Sequence, residues 1–241
     1  MSILVRSFRV GLATALISTL AACGNMPTAG GGGPAAEAPQ YLVGDRWVYN
    51  AQDGFFRSVV TWVETREVTA VSPDGITVRV TQKGPSVDNV RTEQWAAPGL
   101  VKVGAVFDNE TRRFATPLKR YDFPLVPGKV WNQRVNQVDE TAKTEGEINR
   151  YVSVRGWGSV TTPAGTFDAI NMQISMWLAD ETFWRYATNC NYALQYSPAV
   201  RGMVHEEKEA QYREKNDFNS VTTMRAQHAV LDLVSFTPGK P

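Results

Sequence analysis

Cysteine and histidine are scarce, with two of each among 241 residues. Cys23 falls at the end of an N-terminal leader, which leaves Cys190 without a partner in the body. No internal disulfide can staple the fold, so its stability must come from a hydrophobic core. His205-Glu206-Glu207-Lys208-Glu209 has the first half of a zincin-like pattern but lacks the second histidine four residues on that would complete a helical metal site. It reads instead as a solvated strand or helix face, and the sequence assigns no metal and no cofactor. An excess of one charge is lacking too: 25 basic side chains face 24 acidic ones. Removing Arg6 and Arg9 with the leader moves the formal charge from +1 to −1, which gives no electrostatic footprint for nucleic acid.

Catalytic signatures are missing as well. No serine sits in a Gly-x-Ser-x-Gly elbow, and no glycine-rich loop has phosphate-binding spacing. Asp122, Asp139, Glu140, Asp168 and Asp180 would serve acid/base chemistry only if the fold brought a pair to the separation that glycoside hydrolysis needs. Asp168, just after a turn, is expected to bond backbone N–H groups. Cys190, expected at a strand end or loop, lacks an identifiable base and reads as a small packed side chain. No catalytic residue is assigned.

What is present begins at the N-terminus. Arg6 and Arg9 precede an apolar stretch over residues 10–20, too short for an ordinary transmembrane helix and of signal-peptide length. It ends in Leu20-Ala21-Ala22-Cys23, which resembles the bacterial lipobox. The resemblance implies that residues 1–22 are a lipoprotein signal peptide and that Cys23 is lipidated, its acyl chains (palmitate among them) forming a durable anchor. Gly24, where an inner-membrane lipoprotein commonly has aspartate, implies outer-membrane sorting with the body in the periplasm. Residues 23–40, rich in glycine and proline with almost nothing to bury, read as a flexible tether.

Residues 41–241 read as a single all-β domain. Ile76, Val78 and Val80 alternate with Thr77, Arg79 and Thr81, and Ile170 to Leu178 repeats the pattern, with Trp177 breaking the polar side. Further strands are expected at residues 46–50, 55–70 (with a bend), 90–95, 112–116, 130–137, 148–155, 182–188, 203–208 and 229–236. Residues 206–217 suit either a strand or a helix. Turn signals such as Ser72-Pro73-Asp74-Gly75 and Pro163-Ala164-Gly165 separate these segments. The expectation is an antiparallel curved sheet forming a barrel, half-barrel or β-sandwich. Gly44-Asp45-Arg46-Trp47 and Gly128-Lys129-Val130-Trp131 each place a tryptophan three residues after a glycine, which suggests a weak internal duplication.

Aromatic residues crowd one stretch: Trp177, Phe183, Trp184, Tyr186, Tyr192 and Tyr196. They are the candidate ligand or partner surface, as a cavity lining or a contact patch, although cross-strand pairs in a core would use the same residues.

Four blocks, residues 41–49, 123–131, 162–170 and 196–204, resemble those of uncharacterised bacterial envelope proteins of the DUF3108-like or TapB-like type, with Arg201 interrupting the usual Val-Gly pair. A broader similarity is to curved-sheet carriers of the LolA/LolB type, which implies helices packed on an open sheet face; none is evident here. These features imply a non-enzymatic envelope lipoprotein with an assembly, adaptor or binding role, partnered by the membrane through its acyl chains and by another envelope protein or an apolar ligand. A carrier of a lipid would require a continuous apolar hollow. A cell-wall or polysaccharide enzyme would require clustered carboxylates in a groove.

Overall fold

The alternation closes on itself. The computed structural model describes residues 32–55, 58–106, 110–180, 184–215 and 223–240, and their twelve strands form one closed antiparallel barrel in chain order. The strands are β1 (Arg46–Asp53), β2 (Val60–Ser72), β3 (Gly75–Lys83), β4 (Asp88–Ala97), β5 (Leu100–Gly104), β6 (Arg112–Lys119), β7 (Val130–Asp139), β8 (Thr144–Thr162), β9 (Gly165–Asp180), β10 (Thr188–Ser197), β11 (Gly202–Arg213) and β12 (Thr223–Thr237). β1 pairs with β12, so the sheet has no free edge and the chain satisfies its ladders by closure rather than by a covering helix. Of the expected alternatives the barrel is realised, and the ambiguous stretch after residue 205 is strand β11.

Two expectations are corrected. The strand placed at residues 182–188 begins at Thr188 and runs to Ser197, so the segment expected to be a strand end or loop around Cys190 is strand interior. Residues 184–187 form part of the preceding connection, where Arg185 bridges Glu214. β5 went unnoticed because its five residues follow the tight Pro98-Gly99 turn and offer too little alternation to read.

Alternate connections lie at opposite ends of the barrel. The near end carries residues 33–45, the connection from β6 to β7 and the C-terminus. The chain docks there before the first strand: the Trp157 indole donates to the Pro34 carbonyl at 2.8 Å, and Ala36 exchanges backbone hydrogen bonds with Leu125 at 2.9 and 2.8 Å. Packed structure therefore begins several residues before the expected end of the tether at residue 40. Buried Tyr41, Trp47, Trp95, Tyr121 and Tyr196, together with Phe123, fill this end; Tyr121, Phe123 and Tyr196 contact one another at 5.2–5.5 Å between ring centroids.

The two glycine-led blocks are built alike. Gly44 (φ 90°) and Gly128 (φ 85°) both take the left-handed conformation, which a side chain would disfavour. Each N–H donates across the sheet, Gly44 to Val68 and Gly128 to Val154, and each acceptor is followed by a β-bulge. Ser72 and Thr162 then close equivalent Pro-containing turns, their hydroxyls accepting from the N–H groups of Asp74 and Ala164 at 3.3 and 3.2 Å. Strands β1 to β3 and β7 to β9 thus repeat one local design on opposite sides of the barrel. Counting back four residues from each acceptor, Glu64 on β2 and Arg150 on β8 hold equivalent inward positions.

The outer wall is mixed: β4 presents Val90, Thr92 and Gln94, and β7 presents Val130, Asn132, Arg134, Asn136 and Val138, whereas a membrane-spanning barrel turns a continuous apolar band outward. Among the described residues no helix is long and apolar enough to cross a membrane.

Candidate functional site

Two regions stand out, one inside the barrel and one on its far rim. Inside, the period-two rule carries charged side chains inward along with the apolar ones. β11 shows this plainly. Glu206 and Lys208 point into the lumen, each 7% exposed, while Glu207 and Glu209 face solvent. The expectation of a uniformly solvated face therefore holds for only half of that motif.

Glu64 is the hub of the interior network. Its carboxylate accepts from Arg66 at 2.6 Å and from the Gln82 amide at 2.7 Å, with Arg91 4.0 Å away. Two strands along the wall, Glu93 accepts from Arg120 at 3.0 Å and from the Trp95 indole at 2.9 Å, with Arg91 3.7 Å away. Burial alone would raise both carboxyl pKa values. Arg66, Arg91, Gln82 and Lys208 outweigh it at Glu64, and Arg120, Arg91, Arg66 and Trp95 at Glu93, holding each at about 2. Such groups are fixed anions at neutral pH; general acid/base work needs a pKa near the operating pH.

Glu64, Arg66, Arg91, Glu93 and Arg120 line a cavity of about 60 Å³, together with Tyr121, Arg150, Tyr192, Glu206 and Lys208. It has room for roughly four to six waters at about 10–15 Å³ each. The lining is charged and the space small, so among the described residues the lumen does not provide the continuous apolar hollow that a lipid carrier needs. Above it, Arg112 binds Glu110 at 2.6 Å and Asp139 at 3.2 Å. Asp139 also accepts from the N–H groups of Thr141 and Ala142, a turn-capping role. No group of three or more His, Cys, Asp and Glu among the described residues is arranged to hold a metal. His205 pairs with Asp232 at 2.7 Å and His228 with Glu207 at 3.2 Å, both on the outer wall.

The six aromatic residues singled out in the sequence are divided by the wall. Tyr192 and Tyr196 are buried; the Tyr192 hydroxyl donates to the Val106 carbonyl at 2.7 Å. Trp177, Trp184 and Tyr186 are 47%, 42% and 50% exposed, and Phe183 lies outside the described residues. Trp184 and Tyr186 belong to the far rim, where the connection after β9 meets the end of β11. Arg185 stacks over Trp184 and Tyr212 at 5.4 and 5.2 Å, while Arg213 and Lys215 approach the Tyr186 ring at 5.2 and 5.4 Å. The basic half of this rim escaped sequence reasoning because Arg213 and Lys215 are distant in the chain and become neighbours only through the pairing of Tyr186 N–H with the Arg213 carbonyl at 2.9 Å.

Asp168 does not cap its turn. It lies exposed on β9, where its backbone carbonyl, rather than its carboxylate, accepts from the Ser197 hydroxyl at 2.8 Å. Cys190 is 1% exposed, and burial, reinforced by Glu110, pushes its thiol up to about 12. The thiolate is the reactive form. The folded protein should therefore resist maleimide at pH 7.5, with labelling of the Cys190 peptide at least a hundredfold faster in denaturant; equal rates in the two conditions, read by mass spectrometry, would contradict this burial.

No family model and no curated protein matches the chain. Two solved structures share its fold. One is a protein from Parabacteroides distasonis named as a lipoprotein, at 16% identity and TM-score 0.50, covering 85% of this chain and all of its own. The other is a protein from Bacteroides fragilis named as exported and as having a YmcC-like fold, at 14% identity and TM-score 0.52, covering 84% of this chain and 99% of its own. The likeness is one of fold, to bacterial proteins named as a lipoprotein and as exported, and it singles out no specific named family.

Proposed function

We propose that this chain is a lipid-anchored envelope protein, held at the outer membrane through Cys23 with its body in the periplasm. It works there as an assembly or binding component through the far rim of the barrel. The observation that carries the reading is the placement of two features at opposite ends. The chain enters at the near end, docked from Pro34 through Ala36, whereas exposed Trp184 and Tyr186 stand among Arg185, Arg213 and Lys215 at the far end. Strands of ten to sixteen residues, at about 3.3 Å per residue and tilted by roughly 40°, separate the two ends by on the order of 30 Å.

A rim of this composition suits a partner that carries carboxylates or phosphates. The aromatic faces supply contact area, and the guanidinium groups supply bidentate recognition.

The reading is tested in cells with a photo-crosslinking amino acid at position 186, and with the same group at position 130 on the outer wall as reference. Position 186 should give a discrete adduct that disappears in Arg213→Glu/Lys215→Glu, and Cys23→Ser should release the protein from the membrane fraction. Adducts from position 130 alone, or a Cys23→Ser protein that stays membrane-bound, would overturn it.

A further inference from the structure

Trp177 belongs to neither the core nor the far rim. It points outward from β9, at a position where the alternation calls for a polar side chain, and is 47% exposed. Tryptophans elsewhere in the barrel are committed. Trp47, Trp95, Trp131 and Trp157 donate their indole N–H groups to the protein, Trp62 is buried, and Trp184 packs edge-on against Tyr212. Among the described residues Trp177 makes no hydrogen bond and meets no other ring or cation.

The wall around it is rich in amides. Cross-strand pairing places Asn149 of β8 on one side of Trp177 and Asn189 of β10 on the other, with Arg134 of β7 beyond Asn149. Directly opposed side chains stand about 5 Å apart. Both asparagine Oδ1 atoms are covered, yet among the described residues neither accepts a hydrogen bond. The next row shows the ordinary outcome, where Asn191 accepts from the Ser175 hydroxyl at 3.0 Å. A covered amide oxygen without a donor is costly, and the broad χ2 torsion of asparagine lets each amide turn to meet one. Two amides, each able to donate and to accept, thus flank the indole without a commitment to the wall.

Arg134, Glu147, Asn149, Trp177 and Ala179 line a groove of about 330 Å³, within the range of about 300–1,000 Å³ for small-ligand sites. Tyr151, 43% exposed, lies one row away on the diagonal, opposite Ser175. The ladders joining β7 to β8 and β9 to β10 carry no register shift, and the shift between β8 and β9 falls after Val154, outside this patch. The groove therefore rests on continuous strands, which hold a site more firmly than loops do.

This lining suits a sugar. Arg134 is matched by Glu147 at 3.5 Å, so among the described lining residues the charged pair favours neither an anion nor a cation. The apolar part of the groove is the indole with Ala179, too little to hold an acyl chain. A pyranose has a face of C–H groups that meets the electron-rich face of an indole, and its hydroxyls both donate and accept, as the amides do. A chain of equatorially linked units is flat, and laid along the diagonal it covers Trp177 and Tyr151 together.

We propose that the outer wall from β8 to β10 is a binding site for an uncharged, equatorially linked glycan. One pyranose stacks on Trp177 between Asn149 and Asn189, and the chain continues over Tyr151. This site is separate from the far rim and independent of any partner there.

The test uses the full chain in a detergent without a sugar headgroup, titrated with chitotetraose and with cellotetraose. Binding is followed by calorimetry and by the seven tryptophan indole N–H signals in NMR spectra. The expected result is saturable binding of at least one of the two, moving the signal that Trp177→Phe removes. Trp177→Ala should weaken binding at least tenfold with a melting temperature close to that of the unsubstituted protein, and Trp177→Tyr, which keeps a ring, should fall between. Asn149→Ala with Asn189→Ala should weaken it severalfold, whereas Val90→Ala, on the outer wall of β4, should bind as the unsubstituted protein does. Were Trp177→Ala not to fold, Trp177→Tyr and the asparagine pair would supply the comparison. Tighter binding of chitotetraose marks an acetamido chain, and equal or weaker binding marks an unsubstituted one. The proposal is overturned if neither oligosaccharide shows saturable binding, if the signal that moves belongs to another tryptophan, or if Trp177→Ala binds as the unsubstituted protein does.

Discussion

Glu64→Ala should destabilise the barrel by about 3–5 kcal/mol, the cost of breaking a buried ion pair by removing one member. The carboxylate is 2% exposed and directly binds Arg66 and Gln82. Its loss leaves the Arg66 guanidinium over the Tyr49 ring at 5.1 Å, without the anion that compensates its burial. For a body of about 200 residues this corresponds to a fall in Tm of roughly 6–20 °C, at about 2–4 °C per kcal/mol. Replacing both members, Glu64→Gln with Arg66→Met, should cost less than Glu64→Ala alone, because no unmatched charge remains. A double replacement as damaging as the single one would show that shape rather than charge matters at this position.

The same residue sets the response to acid. Glu64 and Glu93 titrate near 2 in the folded barrel against an ordinary value of 4.5. Their contribution is fully present above the unfolded value and is lost as pH falls through 4.5 toward 2, at roughly 3 kcal/mol for each group. Urea midpoints should therefore drop steeply between pH 5 and pH 2, and Glu64→Gln should flatten that slope. His205 has the opposite sign: Asp232 raises its pKa above 6.5, so its contribution is present in mild acid and fades as pH rises past neutrality. The two windows do not overlap, and each can be read separately.

Asp45→Ala should be about as damaging, at about 3–5 kcal/mol. Asp45 is fully buried at the near end, where three pieces of chain meet. Its carboxylate accepts from Leu42 N–H at 2.9 Å and from Gly239 N–H at 2.8 Å, and both oxygens lie 2.9 Å from the Arg201 guanidinium. One side chain thus ties the docked N-terminal segment, the turn before β11 and the C-terminus together. Asn at this position keeps an acceptor and loses the charge, so Asp45→Asn should recover part of the loss. If Asp45→Ala melts with the unsubstituted protein, the near end is not held in this way.

How much of this was legible beforehand depended on the range of the interaction. Ile76 to Val80 and Ile170 to Leu178 announced strands because a strand's period is two residues and one of its faces is buried. The glycine-led blocks at Gly44 and Gly128 were visible because a positive φ favours a specific residue. The charged lumen was not visible: Glu64, Arg66, Arg91, Glu93, Glu206 and Lys208 look like surface residues until closure of the sheet decides which face is inside. Asp45 escaped notice because its partners Arg201 and Gly239 are more than 150 positions away. The aromatic stretch was visible as a composition, but its division into buried Tyr192 and Tyr196 and exposed Trp184 and Tyr186 depends on where β10 begins, which was placed six residues too early.

The fold also sharpens the relation between anchor and body. With the chain docked from Pro34, the stretch from Cys23 to the barrel is at most about eleven residues, or roughly 35–40 Å when fully extended. On the proposed anchor at Cys23 the near end stays within that distance of the lipid, and the far rim lies on the order of 30 Å from the near end. The direct measurement of this arrangement places a fluorophore at position 126, on the near end, or at position 186, on the far rim, in the lipidated protein. Each is reconstituted in vesicles that carry a nitroxide quencher at the lipid surface. The account predicts several-fold stronger quenching at 126 than at 186; equal quenching at both, or stronger quenching at 186, would contradict it.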